Sequence, residues 1–296
     1  MKLDHALVAL DLSSSQTELV DAMPYFRQFD TDRFTLFTYV PILSRQFLSL
    51  KKRGQLIKKI EECRDFLREQ GYSANRVVKY GLSRDASRAI LREGKERGIH
   101  WIITGNRSHN KIHERFVGRT SVKVLQDSHI PVMLLNLNSE QNNKDSAGAE
   151  TDVRNALFHL LHPTDFSDNS GRAFAAMKQL IAQKTKSVTL VHVDSKSRPE
   201  GVKPEKVLSS TARIKKLREL SEKLNYPEHL KVYLKMPEGE PARELINLAN
   251  ELNFTLMVMA VRGKKDRNLK FSQSISYQVA RNCKLPILFI PAESNH

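Results

Sequence analysis

The chain repeats itself, and the repeat bounds what it can fold into more tightly than any single motif does. The stretch "ALVALDLSSS" near the start matches "LFHLLHPTDFSDNS" past the middle. Each is an apolar strand ending in an aspartate, followed by hydroxyl residues able to cap a helix. Asp11 thereby corresponds to Asp165. "RFTLFTYV" matches "SVTLVHV", and "VVKYGLSRDASRAILREGKERG" matches "VYLKMPEGEPARELINLANELN", each of the latter pair a strand, a turn with glycine and an amphipathic helix. "HWIITGNRS" then matches "LMVMAVRG", and "VLQDSHIPVMLL" matches "VARNCKLPILFI". Between the halves, segment 138–153 is polar, poor in large apolar side chains, and reads as a linker. Domains spanning 1–137 and 154–296 follow.

Strands and helices that alternate at this spacing, with strands apolar almost throughout, predict parallel sheets covered by helices on both faces. Each half is expected to be a doubly wound α/β domain of five strands. A ligand of such a domain binds beyond the carboxyl ends of the strands, where the strand order reverses. Asp11 and Gly105 occupy that place in the first half, Asp165 and Gly263 in the second.

A length of 296 residues suits two domains, and no apolar run is long enough to span a bilayer. The start "MKLDHALVALDLSSS" is interrupted by Asp4 and Asp11, unlike a signal peptide, so a cytoplasmic protein without a membrane partner is expected. Cys63 and Cys283 stand one in each half without metal-ligand spacing, and neither a disulfide framework nor a metal site is expected. The formal net charge of +15 favours anionic partners. Within "KKRGQLIKK" and "RGKKDRNLK", however, no aromatic residue interleaves with the basic ones, so these clusters read as solvated faces rather than as a nucleic-acid platform.

On these residues each half resembles a universal stress protein domain, and the chain resembles a tandem two-domain member of that family over roughly residues 3–136 and 155–292. The resemblance implies a Rossmann-like fold of the adenine nucleotide alpha hydrolase type. In the family's nucleotide-binding members a loop of glycine, two residues, glycine, nine residues, then glycine and serine or threonine wraps the phosphates. Glycines allow close backbone approach, amides at the next helix start face the anion, and the hydroxyl donates a further bond. In the first half Gly105 and Gly118 match, while Ser108 replaces the second glycine and Arg119 the hydroxyl residue. Arg107 lies within the loop and Ser121 just after it. In the second half Gly263 and Ser274 match, with Arg262 before the glycine and Ser276 after the serine, while Ala260 and Gln273 replace glycines.

By the same resemblance Asp165, and Asp11 with it, lies against the adenine amino group, and Val40 and Val193 wall the base. The alternative for either aspartate is a local role capping the next helix. His109 and His113, four apart, lack the third ligand a metal needs, and His159 and His162, three apart on a strand, point to opposite faces. His192 is expected to be structural and Trp101 a core residue. Neither G-x-S-x-G, a Walker A sequence nor H-E-x-x-H occurs, and the aspartates stand single, so no enzyme is expected; nothing positions an attacking water for a slow ATPase.

Two functions remain open. One is a stress-response module that binds ATP or a related adenine nucleotide in at least one half, preferentially the second. The other is a ligand-free scaffold for protein partners. The resemblance further implies that the two domains pair through "PVMLL" and "PILFI" as a pseudo-dimer, with association of two chains left open.

Overall fold

The computed structural model describes residues 1–10, 16–41, 50–108, 115–116, 118–137, 153–195, 209–224, 228–261 and 273–292. The chain divides into two compact units, Met1–Arg154 and Asn155–His296. Val153, the last residue of the expected linker, and Arg154, expected to open the second domain, both belong to the first unit: Gln28 Nε2 donates to the Val153 carbonyl at 2.5 Å, and Arg154 Nη2 donates to the Tyr25 hydroxyl at 2.5 Å.

In the first unit the strands are β1 (His5–Leu10), β2 (Arg33–Pro41), β3 (Ser73–Gly81), β4 (Trp101–Ser108), β5 (Arg115–Phe116) and β6 (Val132–Leu137). The helices are α1 (Gln16–Asp21), α2 (Leu50–Glu69), α3 (Ala86–Glu96) and α4 (Arg119–Asp127). The order β3-β2-β1-β4-β6 is parallel throughout. In the second unit β7 (His159–Pro163), α5 (Asp168–Leu180), β8 (Ser187–Val191), α6 (Ser210–Glu222), β9 (Lys231–Lys235), α7 (Pro241–Glu251), β10 (Leu256–Ala260), α8 (Ile275–Asn282) and β11 (Ile287–Ile290) follow one another. Their sheet order, β9-β8-β7-β10-β11, is the same winding and again parallel. The five-stranded doubly wound halves expected from the repeat are therefore present.

The apolar runs become strands because both faces are covered. Every residue of β6, β8 and β11 is buried, as parallel strands between helix layers require. α5 lays Ala173, Phe174, Ala176, Met177 and Leu180 inward. Each large side chain so buried contributes roughly 1.5–3 kcal/mol. Trp101, fully buried as expected of a core residue, meets Phe26 edge-on at 5.4 Å and Phe29 at 5.5 Å. Helix starts carry their own stops: Ser167, Ser209 and Ser274 each accept a backbone amide through the side chain, and Glu240 accepts two ahead of Pro241.

One feature departs from the repeat. β4 runs three residues past Gly105 and pairs with β5 as an antiparallel ribbon, Arg107 opposite Phe116 and Ser108 opposite Arg115. A strand that outgrows its sheet leaves backbone groups unpaired, and the returning chain satisfies them. Among the described residues no helix is long and apolar enough to cross a membrane, and no three potential ligands converge on a metal. Cys63 is half-buried and Cys283 buried.

Candidate nucleotide cavity

In the second unit the chain winds from β7 through β8 to β9 on one side and returns to β10 and β11 on the other. The crossovers that follow β7 and β10 therefore leave in opposite directions, and a crevice opens beyond the strand ends. It holds a cavity of about 290 Å³, lined by residues that include Thr164, Asp165, Val193, Met259, Ala260 and Ser276. Asp165, Val193, Ser274 and Ser276, all expected at this site from the sequence, thus share one cavity.

The turn after β7 is built by local chemistry. Phe166 adopts φ 61°, a left-handed conformation that side chains disfavour. This folds Ser167 back so that Asp165 Oδ1 receives both the Ser167 amide at 3.0 Å and the Ser167 hydroxyl at 2.5 Å. The Ser167 oxygen in turn accepts the Ser170 amide at 3.3 Å and starts α5. Asp165 borders the cavity as a residue only partly covered by its neighbours. The surrounding protein withholds water and works against its charge, but the Ser167 and Ser170 donors outweigh that and hold its carboxyl below the usual value. Asp165 is therefore an acceptor at neutral pH. Both expectations for it are compatible with this geometry, because Oδ1 organises the helix start and Oδ2 makes neither of these bonds.

His192 and Phe166 stack at 4.6 Å between ring centroids, and His192 Nδ1 lies 2.8 Å from the Thr164 carbonyl, which fixes that nitrogen as the protonated one. That bond anchors His192, and the residue also lines the cavity. His162 lies on β7, level with Leu190 of β8. It is fully buried, donates Nδ1–H to the Val258 carbonyl at 2.9 Å, and has no partner at Nε2 among the described residues. Burial pushes its pKa down to about 4. His159, half-buried, meets the Ser187 hydroxyl at 2.8 Å instead. The pair does not converge.

At the α8 start Ser274 accepts the Tyr277 amide at 3.1 Å, leaving its own proton to donate. Ser276 donates to the Ala260 carbonyl at 3.0 Å, so its proton is committed within the protein. Arg262 and Gly263 lie outside the described residues.

The first unit offers less. Val40 is buried at the end of β2, Ser121 is buried with its hydroxyl 3.0 Å from that of Thr104, and Arg119 is exposed at the first position of α4. Gly118 precedes α4 with φ −56° and ψ 142°, which any residue adopts. Gln273 at the matching position therefore need not incur the strain that positive φ would impose. Gly105 is glycine for packing: a Cβ there would come within 2.3 Å of Leu137 Cδ1. Asp11, His109 and His113 lie outside the described residues, as do the side chains of Arg107 and Ser108.

Sequence reasoning missed Pro241, Leu245 and Met259 in the cavity wall and Phe166 in the turn beside it. Pro241 follows the glycine turn of the repeat and could have been traced to the crevice; nothing in a phenylalanine announces a left-handed backbone.

Two doubly wound α/β units, each reversing its strand order at the middle of its sheet, define the class of tandem doubly wound α/β proteins. The Universal stress protein family profile matches residues 2–136 and 158–291, and the chain belongs to that family. It is 29% identical over 107 residues to the Universal stress protein YxiE of Bacillus subtilis (strain 168), covering 36% of this chain and 69% of that protein. Among solved structures, a universal stress protein from Archaeoglobus fulgidus DSM 4304 superposes with a TM-score of 0.74 at 18% identity, covering 98% of this chain and 99% of the other. One from Pseudomonas aeruginosa UCBPP-PA14 gives 0.62 at 13% identity, with 98% and 93% covered. At such identities these likenesses establish the fold.

Proposed function

We propose that this universal stress protein binds an adenine nucleotide, ATP or its di- or monophosphate, in the cavity of the second unit and acts in the cytoplasm by changing conformation or partner affinity with occupancy. The observation that carries this is one cavity with an ionised acceptor, Asp165, in its wall and the amide-bearing start of α8 in the same wall. The first suits an exocyclic amine and the second a phosphate. Val193 and Met259 supply apolar wall between them. A ligand shifts only the equilibrium whose two states it binds unequally, so binding rather than catalysis is the activity assigned. Among the described residues lining the cavity Asp165 has no second carboxylate with which to form an acid and base pair.

For the first unit a specific observation favours the ligand-free reading. Gly105 is required by Leu137 of the neighbouring strand, so its retention does not speak for a phosphate.

The test is mass spectrometry of small molecules released from the gently denatured protein, followed by calorimetric titration with ATP, ADP and AMP. One nucleotide per chain, weakened by Asp165→Ala and by Gly263→Val, is the expected result. Affinity unchanged in both variants would move the site elsewhere, and no binding of any of the three would leave the scaffold reading.

A further inference from the structure

A second cavity lies in the same unit and shares no lining residue with the crevice. Its volume is about 660 Å³. Parallel register places His159 beside Ser187 and Ser187 beside Lys231, then Thr189 beside Tyr233. Side chains two apart on a strand share a face, so Lys231, Tyr233 and Lys235 project together into this trough. Lys186 and His229 complete its basic lining.

Three features set the trough apart from the solvated lysines elsewhere. Among the described residues no carboxylate lines it, although the wall holds three lysines and two histidines. Among the described residues neither Lys231 nor Lys235 forms an ion pair. Tyr233 is 48% exposed between them, a large ring left in water on an edge strand. The two ammonium groups are rooted about 13 Å apart along β9, with the ring midway. Burial on that strand is incomplete on both faces, unlike every residue of β8.

An anion is the ligand that such a wall selects, and the ring narrows the class further. We propose that this trough binds single-stranded nucleic acid, with Lys231 and Lys235 pairing phosphates and Tyr233 stacking a base between them. Ammonium groups that track a backbone, with an aromatic face for the bases, are how strands are held without sequence preference. An inorganic polyphosphate would use the lysines and leave Tyr233 without a task. The absence of aromatic residues from the two basic clusters of the sequence does not apply here, because "KVYLK" supplies its ring by strand periodicity and recruits Lys186 from outside the segment. The site is separate from the adenine cavity, and the two proposals stand or fall independently.

The experiment is fluorescence anisotropy of a labelled single-stranded oligothymidine titrated with the full chain, with saturating ATP present and absent. The variants are K231A/K235A, Tyr233→Leu, and a control pair K58A/K59A that removes equal charge from α2. The trough pair is expected to weaken binding roughly tenfold and to reduce the slope of log affinity against log salt by about 1.4, since each phosphate contact on a single strand contributes about 0.7. Tyr233→Leu is expected to weaken the oligonucleotide severalfold while leaving competition by inorganic polyphosphate unchanged. ATP is expected to have no effect on either. Equal losses in the trough pair and the control pair would overturn the site in favour of diffuse charge. Indifference of the oligonucleotide to Tyr233→Leu would overturn the nucleic-acid assignment, as would tighter binding of polyphosphate or polyglutamate than of the strand. Tyr233 and Lys231 are exposed, and thermal unfolding of each variant verifies that the fold is kept.

Discussion

Ser276 donates its hydroxyl proton to the Ala260 carbonyl oxygen across 3.0 Å, tying the first turn of α8 to the last residue of β10. Ser121, at the same position of the repeat, plays the corresponding part in the first unit by meeting the Thr104 hydroxyl at 3.0 Å. Ser276→Ala leaves that carbonyl without its side-chain donor, and a loss of about 1 kcal/mol is expected. Urea unfolding measures it. Wild-type stability in the variant would mean that the clip contributes nothing net.

Gly105 and Leu137 form a tighter pair. A methyl added at Gly105 would press on the Leu137 side chain at 2.3 Å, and overpacking of a buried strand costs about 1–3 kcal/mol. Gly105→Ala is therefore destabilising, and combining it with Leu137→Ala recovers part of the loss in a double-mutant cycle. Strict additivity of the two substitutions would show that the close approach is not the cause.

Phe166 combines a left-handed backbone with a stack on His192. Phe166→Ala loses the stack and keeps the strain, whereas Phe166→Gly loses the stack and relieves it. The glycine variant is expected to be the more stable of the two by about 1 kcal/mol. Equal stabilities would mean that the turn is not strained.

His162 sets a pH dependence whose sign is fixed by burial. Its folded pKa is about 4 against the usual 6.5, so the unfolded chain binds the extra proton between those values. Its contribution is fully present above pH 6.5 and is lost as pH falls towards 4, by about 3 kcal/mol in all. An NMR titration of the ring should show it neutral at pH 5. Titration near 6.5 would refute the desolvated environment.

Asp165 acts in the same direction at lower pH. Its folded pKa lies below the usual carboxylate value, so the stabilisation is present above the unfolded pKa and disappears as pH falls through the folded one. Asp165→Asn should flatten that acid limb of the stability curve. If the limb keeps its slope, the Ser167 donors are not selecting the charged form.

The repeat was legible because periodicity survives without any tertiary information. A stretch such as "SVTLVHV" announces a buried strand by its apolar run, and "PARELINLANE" announces an amphipathic helix by its spacing of apolar residues. From those pieces the parallel sheets and their switch points followed. The altered loops were legible as well, since Arg119 and Gln273 stand at definite positions of the pattern. Their consequences were not: the backbone angles at Gly118, which make glycine unnecessary there, belong to the folded chain alone.

Sequence by itself therefore determined the tandem α/β units, the family they belong to, and the shared location of Asp165, Val193, Ser274 and Ser276. These depend on local spacing, and local spacing is written in the order of residues. Only the tertiary structure decided that Gly105 answers to Leu137, that His192 stacks on Phe166, and that Lys186, Lys231, Tyr233 and Lys235 share one trough. Each of these joins residues from different strands or loops, and it is the register of the parallel sheet that brings such residues within reach of one another.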